Sequence, residues 1–159
     1  MRLFVQVVAL VLVFAGPVAA QDLQFSPQVS LDCISSGQPV EGCVGASAEA
    51  CVYANGYATV VESACYSLEA DWWDARLNAI YNDALPSLRE QDQAEGGGAP
   101  SRADALRDMQ RAWIAYRDAT CSFEASLWGN GTGAGTAYNA CLMRETAAQA
   151  LYLQNGGNN

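Results

Sequence analysis

At 159 residues, 51% of them hydrophobic and 16% charged, the chain has the size of one domain with one core. It contains no histidine and no lysine, and 17 acidic residues outnumber its 8 arginines for a net charge of −9. That balance excludes a phosphate-binding face, and so a nucleic-acid partner, and it removes the side chain most used for general acid–base work.

Arg2 precedes an apolar run from Leu3 to Ala15, interrupted by Gln6, and Val18, Ala19 and Ala20 then lead to polar Gln21. This is the pattern of a secretory signal peptide over residues 1–20. No later stretch approaches the ~20 apolar residues of a transmembrane helix, so the mature form is expected to insert in no membrane. The first cysteine after the cleavage site is Cys33, which indicates no lipid-attachment cysteine. The expected location is periplasmic or secreted. The mature chain keeps seven arginines against seventeen acids, a charge of minus ten that suits a basic partner or serves solubility alone.

Residues 21–46 read as an irregular N-terminal segment, broken by Pro27, Gly37, Pro39, Gly42 and Gly45. Ser47 is placed to cap a short helix that carries Cys51 and Tyr53 and stops at Asn55-Gly56. Thr59 and Glu62 have the spacing of a capping box. The second helix they would open presents Tyr66, Ala70, Trp73, Leu77, Ile80 and Ala84 on one face. Trp72 and Trp73 cannot share that face, so one of them must cover another seam. Pro86 should kink or end this helix, and the GGGAP run at 96–100 is a flexible joint.

The longest periodic stretch follows. Leu106, Met109, Trp113, Tyr116, Thr120, Phe123 and Leu127 alternate three and four apart, the spacing of a stripe that must be buried. Ser101 with Asp104 supplies a start signal and Gly129 a stop, bounding a long central helix of about 40 Å. After the glycine-rich turn 129–135, a last helix runs from about Thr136 to Gln154. Its small residues Ala137, Ala140, Cys141, Ala147 and Ala148 allow close antiparallel packing on the central helix. Residues 156–159 read as a flexible tail.

Six cysteines in an exported chain suggest three disulfides, with fifteen connectivities open to composition alone. Spacing narrows these: Cys33 and Cys43 flank Gln38, Cys51 and Cys65 flank Ala58, and Cys121 and Cys141 flank Gly131, each pair symmetrically about a turn. Neither C-x-x-C nor histidine is present, so no metal site and no cofactor is expected. The fold class is all-α: a small disulfide-stapled helical bundle with a long central helix and an antiparallel C-terminal hairpin.

Glu69, Asp71 and Asp74 could imitate the carboxylate pair of a glycosidase, but a solvated acidic face is the simpler reading. With no recognisable nucleophile motif, the chain is read as a non-enzyme. The loop Trp128–Gly135 is the exposed feature suited to binding, with Trp128, Asn130, Gly131 and Thr132 as candidate contacts. Its glycines either let the backbone approach a partner or only turn the chain. Asn130-Gly131-Thr132 also matches a glycosylation pattern that is frequent by chance.

Three ordered motifs, DARLNAIYNDAL at 74–85, QRAWIAYRDATC at 110–121 and CLMRETAAQALYL at 141–153, resemble the domain of unknown function 1311, also called the lysozyme-inhibitor LprI-like N-terminal domain. On this resemblance residues 47–155 form the LprI-like helical domain, and its motif residues correspond to Leu77, Asn78, Tyr81, Trp113, Arg117 and Asp118. The resemblance implies an exported binding module that inhibits lysozyme-type muramidases, with a basic lysozyme-type protein as partner. The alternative is an envelope structural or stress-related protein without an enzymatic target.

Overall fold

The computed structural model describes residues 23–96 and 100–156. The signal peptide expected over 1–20 and the tail beyond Gly156 lie outside the described residues. The architecture is all-α: α1 (Gln28–Ser35), a 3-10 turn (Val40–Cys43), α2 (Ala46–Asn55), α3 (Thr59–Ala94), α4 (Arg102–Ser126) and α5 (Ala134–Gln154). No helix among the described residues is long and apolar enough to cross a membrane.

The core lies where α3, α5 and α2 meet. Trp73 and Leu77 of α3 pack with Met143, Ala147, Ala150 and Leu151 of α5 and with Ala48, Cys51 and Val52 of α2. Ala147 and Ala150 are fully buried, and their small side chains let α5 lie close along α3. Trp73 is enclosed while Trp72 is only partly buried, with the two rings edge-on at 4.6 Å. Three disulfides, Cys33–Cys43, Cys51–Cys65 and Cys121–Cys141, have Cα separations of 5.3–5.7 Å. They join α1 to the 3-10 turn, α2 to α3, and α4 to α5.

Several local expectations are corrected. The stretch 21–46, read as irregular, contains α1 and the 3-10 turn, and α1 is bonded into the body of the protein through Ser30. Ser47 does not cap α2, which begins after Gly45 in the left-handed region at φ 95°; its hydroxyl instead accepts from the Ser30 amide at 2.9 Å. The Thr59/Glu62 capping box does not form, because Ala58 is the boundary residue and Thr59 is already helical. The Ser101 cap of α4 does form, its hydroxyl accepting from the Asp104 amide at 3.1 Å.

The longest helix is α3 rather than α4, because Pro86 does not end it: 36 residues run unbroken to Ala94. A proline at 86 leaves the Asn82 carbonyl without its amide, and both residues are exposed, where water can serve that oxygen. The stripe assigned to α4 is also rotated. Leu106 is buried and Trp113 partly buried, but Tyr116 is 60%, Phe123 63% and Leu127 70% exposed. The inward line is Ala103, Leu106, Trp113, Arg117 and Cys121. The Cys121–Cys141 bond to α5 holds this rotation, which periodicity within one helix could not reveal.

Candidate functional site

Glu69 is fully buried. Its Oε1 accepts from the Gly45 amide at 2.8 Å, the Ser30 hydroxyl at 3.1 Å and the Trp73 indole at 3.2 Å, while Oε2 accepts from the Ala48 amide at 2.6 Å. A side chain of α3 thus serves the free amides at the start of α2, where a carboxylate also meets the positive end of the helix dipole. Every bond to Glu69 comes from a donor that fixes structure, while Asp71 is exposed and Asp74 only partly buried.

The family-motif residues converge from two helices. On α3, Asn78 donates to Asp74 Oδ2 at 2.8 Å; on α4, Arg117 donates to Asp118 Oδ1 through Nε at 3.0 Å and through a terminal nitrogen at 2.8 Å. The other terminal nitrogen of Arg117 lies 3.9 Å from Asp74 Oδ1, and the guanidinium sits 4.9 Å from the Trp113 ring centroid. Stacking on an indole and pairing with carboxylates use both faces of guanidinium chemistry. Leu77, next to Asn78, is buried in the core, and Tyr81, one turn along, is partly buried. The arrangement links α4 to α3 and contains no nucleophile with an adjacent base. Among the described residues no three His, Cys, Asp or Glu side chains gather into a metal-holding group.

The glycine-rich loop lies elsewhere, at the end of the bundle. The Gly131 amide donates to the Trp128 carbonyl at 2.8 Å, and the Trp128 ring lies so close over Gly133 that any side chain there would overlap it. The glycines therefore shape a compact turn seated on its own tryptophan. Trp128 still exposes 56% of its surface, and Asn130, Gly131 and Thr132 are exposed beside it. Thr132 and Gly135 join Thr59, Val60, Ser63 and Asn139 around an open cleft of about 780 Å³. Asn139 donates to the Ser63 carbonyl and hydroxyl, both at 3.0 Å, and the Thr136 hydroxyl to the Thr59 carbonyl at 3.3 Å, so the start of α5 is tied to the start of α3.

Asp74 and Glu69 take structural roles that their reading as acids on a solvated face does not include. Asp74 lies four residues before Asn78, a spacing that already signals a helical side-chain pair. Glu69 carries no comparable signal, since its amide partners lie 21 and 24 residues away.

Comparison with known proteins follows the same residues. The chain is 31% identical over 137 residues, 77% of its length and 81% of the relative's, to an uncharacterized 17.7 kDa protein in the puhA 5′ region of Rhodobacter capsulatus. No solved structure matches it. The family model described as lysozyme inhibitor LprI matches residues 51–153, from the first cysteine of the α2–α3 staple almost to the end of α5, and the chain belongs to that family.

Proposed function

We propose that the mature protein is an exported inhibitor of lysozyme-type muramidases that acts through the loop end of the bundle. The observation that carries this reading is the family match over residues 51–153, which takes in the motif cluster, the loop and the cleft beside it. Three disulfides suit an oxidising compartment outside the cytoplasm, in keeping with the signal-peptide pattern of residues 1–20. The inhibitory module comprises residues 47–155, and the segment before it is held to it by hydrogen bonds from Ser30 and Gly45 to Ser47 and Glu69. Leu77, Asn78, Tyr81, Trp113, Arg117 and Asp118 hold α3 and α4 in register, and the contact with the enzyme falls to Trp128, Asn130, Gly131 and Thr132.

A structural envelope protein is the second reading, favoured by one observation: the charged motif residues are taken up inside the protein, Arg117 pairing with Asp118 on α4 and approaching Asp74 of α3. A cell-wall lysis assay separates the two. Wild-type protein is expected to slow lysis by a basic muramidase at low salt, and Trp128→Ala with Asn130→Ala to weaken inhibition by about tenfold, as for loss of a central aromatic contact. Undiminished lysis at a large molar excess against several muramidases replaces the inhibitor with the structural protein. Full inhibition by the double variant refutes only the loop assignment.

A further inference from the structure

Beside the loop, the corner between α2 and α3 holds a second exposed surface. Tyr53 is 78%, Tyr57 76% and Val60 76% exposed, the three most open large apolar side chains among the described residues. Tyrosines that protrude at a rigid corner are typical anchors of protein interfaces, and the Cys51–Cys65 bond makes this corner rigid. Next to them Glu49 and Glu62 line a recess of about 220 Å³ with Val52, Tyr57 and Tyr66. Neither carboxylate has an arginine partner among the described residues, whose ion pairs all lie elsewhere.

We propose that this corner is a docking surface for a basic protein, with an arginine or lysine of the partner entering the recess between Glu49 and Glu62 while Tyr53, Tyr57 and Val60 cover its surroundings. Charge selects the occupant. A second copy would set carboxylates against carboxylates in a chain that already carries −9, and an anion would meet the same repulsion. Burial, and after it the charges of Glu49, Glu62 and Glu69, push the Tyr66 phenol above its usual value, so a negative field converges on the recess. Arg144 acts on Tyr66 in the opposite sense, but it is held by both carboxylate oxygens of Glu124, at 2.8 and 3.0 Å. A guanidinium brought by a partner would therefore meet two carboxylates and a tyrosine face, a setting in which charge pairing and cation–π attraction add. Val60 belongs both to this corner and to the cleft under Thr132 and Gly135, so one partner could cover corner and loop together. The proposal rests on the inhibitor reading only for the identity of that partner, a muramidase.

Two probes test the surface and the reading separately. The isotope-labelled mature protein is titrated with a short arginine-rich peptide and, in parallel, with a strongly basic lysozyme, following backbone amide shifts. The peptide is expected to move the amides of residues 49–66, and Glu49→Gln with Glu62→Gln to weaken both probes by at least about tenfold. Tyr57→Ala should weaken the lysozyme arm. All three positions border solvent, so circular dichroism should show an unchanged helical fold. Peptide shifts at the corner without lysozyme binding keep the docking surface and remove the muramidase. Lysozyme inhibition that is indifferent to the Glu49→Gln, Glu62→Gln pair, or peptide shifts confined to other faces, overturns the docking surface and leaves the inhibitor reading standing. No binding by either probe overturns both.

Discussion

Glu69 shows how one carboxylate can organise three elements. Its four donors come from α1, from the residue before α2, from α2 and from α3 itself, so removing the acceptor leaves each without its partner. An orphaned buried donor costs about 1–3 kcal/mol. Glu69→Gln keeps one oxygen and should cost about that much, chiefly at the Ala48 amide, whereas Glu69→Ala should cost more than about 3 kcal/mol and loosen α1. Urea melts of the two variants check the order, and equal losses would show that the bonds to Oε1 contribute little. Tryptophan burial gives a second comparison. Trp73 is enclosed and Trp113 only partly so; Trp73→Ala should lose about 3–5 kcal/mol and Trp113→Ala about 1.5–3 kcal/mol. A larger loss at Trp113 in the same melts would contradict its partial exposure.

The ends of the helices depend on one another. Asp92, near the end of α3, accepts from the Arg102 amide at 2.9 Å, the Ala103 amide at 3.1 Å and the Ser101 hydroxyl at 2.8 Å. It therefore caps α4 across the glycine-rich joint. The two backbone amides lead in holding its carboxyl below the ordinary carboxylate range, and the Ser101 hydroxyl and Arg102 charge add to them against partial burial. Because the folded value is depressed, the stabilisation is present above the unfolded value of about 4 and disappears as pH falls through the lower folded value. Asp92→Asn should thus lower the urea midpoint at pH 7, with the gap to wild type closing as pH drops below about 4. A gap that stays constant into acid would show that the charge of Asp92 plays no part. Arg102 reinforces this joint through Glu95 at 2.6 Å.

Across the whole molecule, the unpaired acids set the long-range behaviour. With residues 1–20 removed, as proposed, the charge would be minus ten and would attract the proposed basic enzyme before any contact forms. The screening length shortens from about 30 Å at 0.01 M salt to about 8 Å at physiological ionic strength. Association with a basic muramidase should slow by roughly tenfold over that interval, while dissociation, governed by short-range contacts, changes little. Stopped-flow mixing measures both rates. A salt-independent association rate would mean that the charge serves solubility alone.

Information confined to a few residues was legible in the chain itself. The 3.6-residue period marked the long helices α3, α4 and α5, Asn55-Gly56 and Asn155-Gly156 marked helix ends, Ser101 marked a start, and cysteines spaced evenly about turns lie where hairpins bring chain segments together. The three motifs identified the family, because their order and spacing are properties of the chain alone. Tertiary structure decided what depends on distant partners. Periodicity supplied α4 with a stripe through Tyr116, Phe123 and Leu127, yet the position of α5 and the Cys121–Cys141 bond turned those side chains outward. The capping of α2 by Glu69 and of α4 by Asp92 likewise arises only once helices cross, since a side chain from another helix replaces the local hydroxyl of Ser47 or supplements that of Ser101. Pro86 could remain inside α3 because it and Asn82 face solvent, a fact of packing rather than of propensity. Each of these outcomes turns on which groups meet across the fold, and the spacing of residues along one helix carries no record of that.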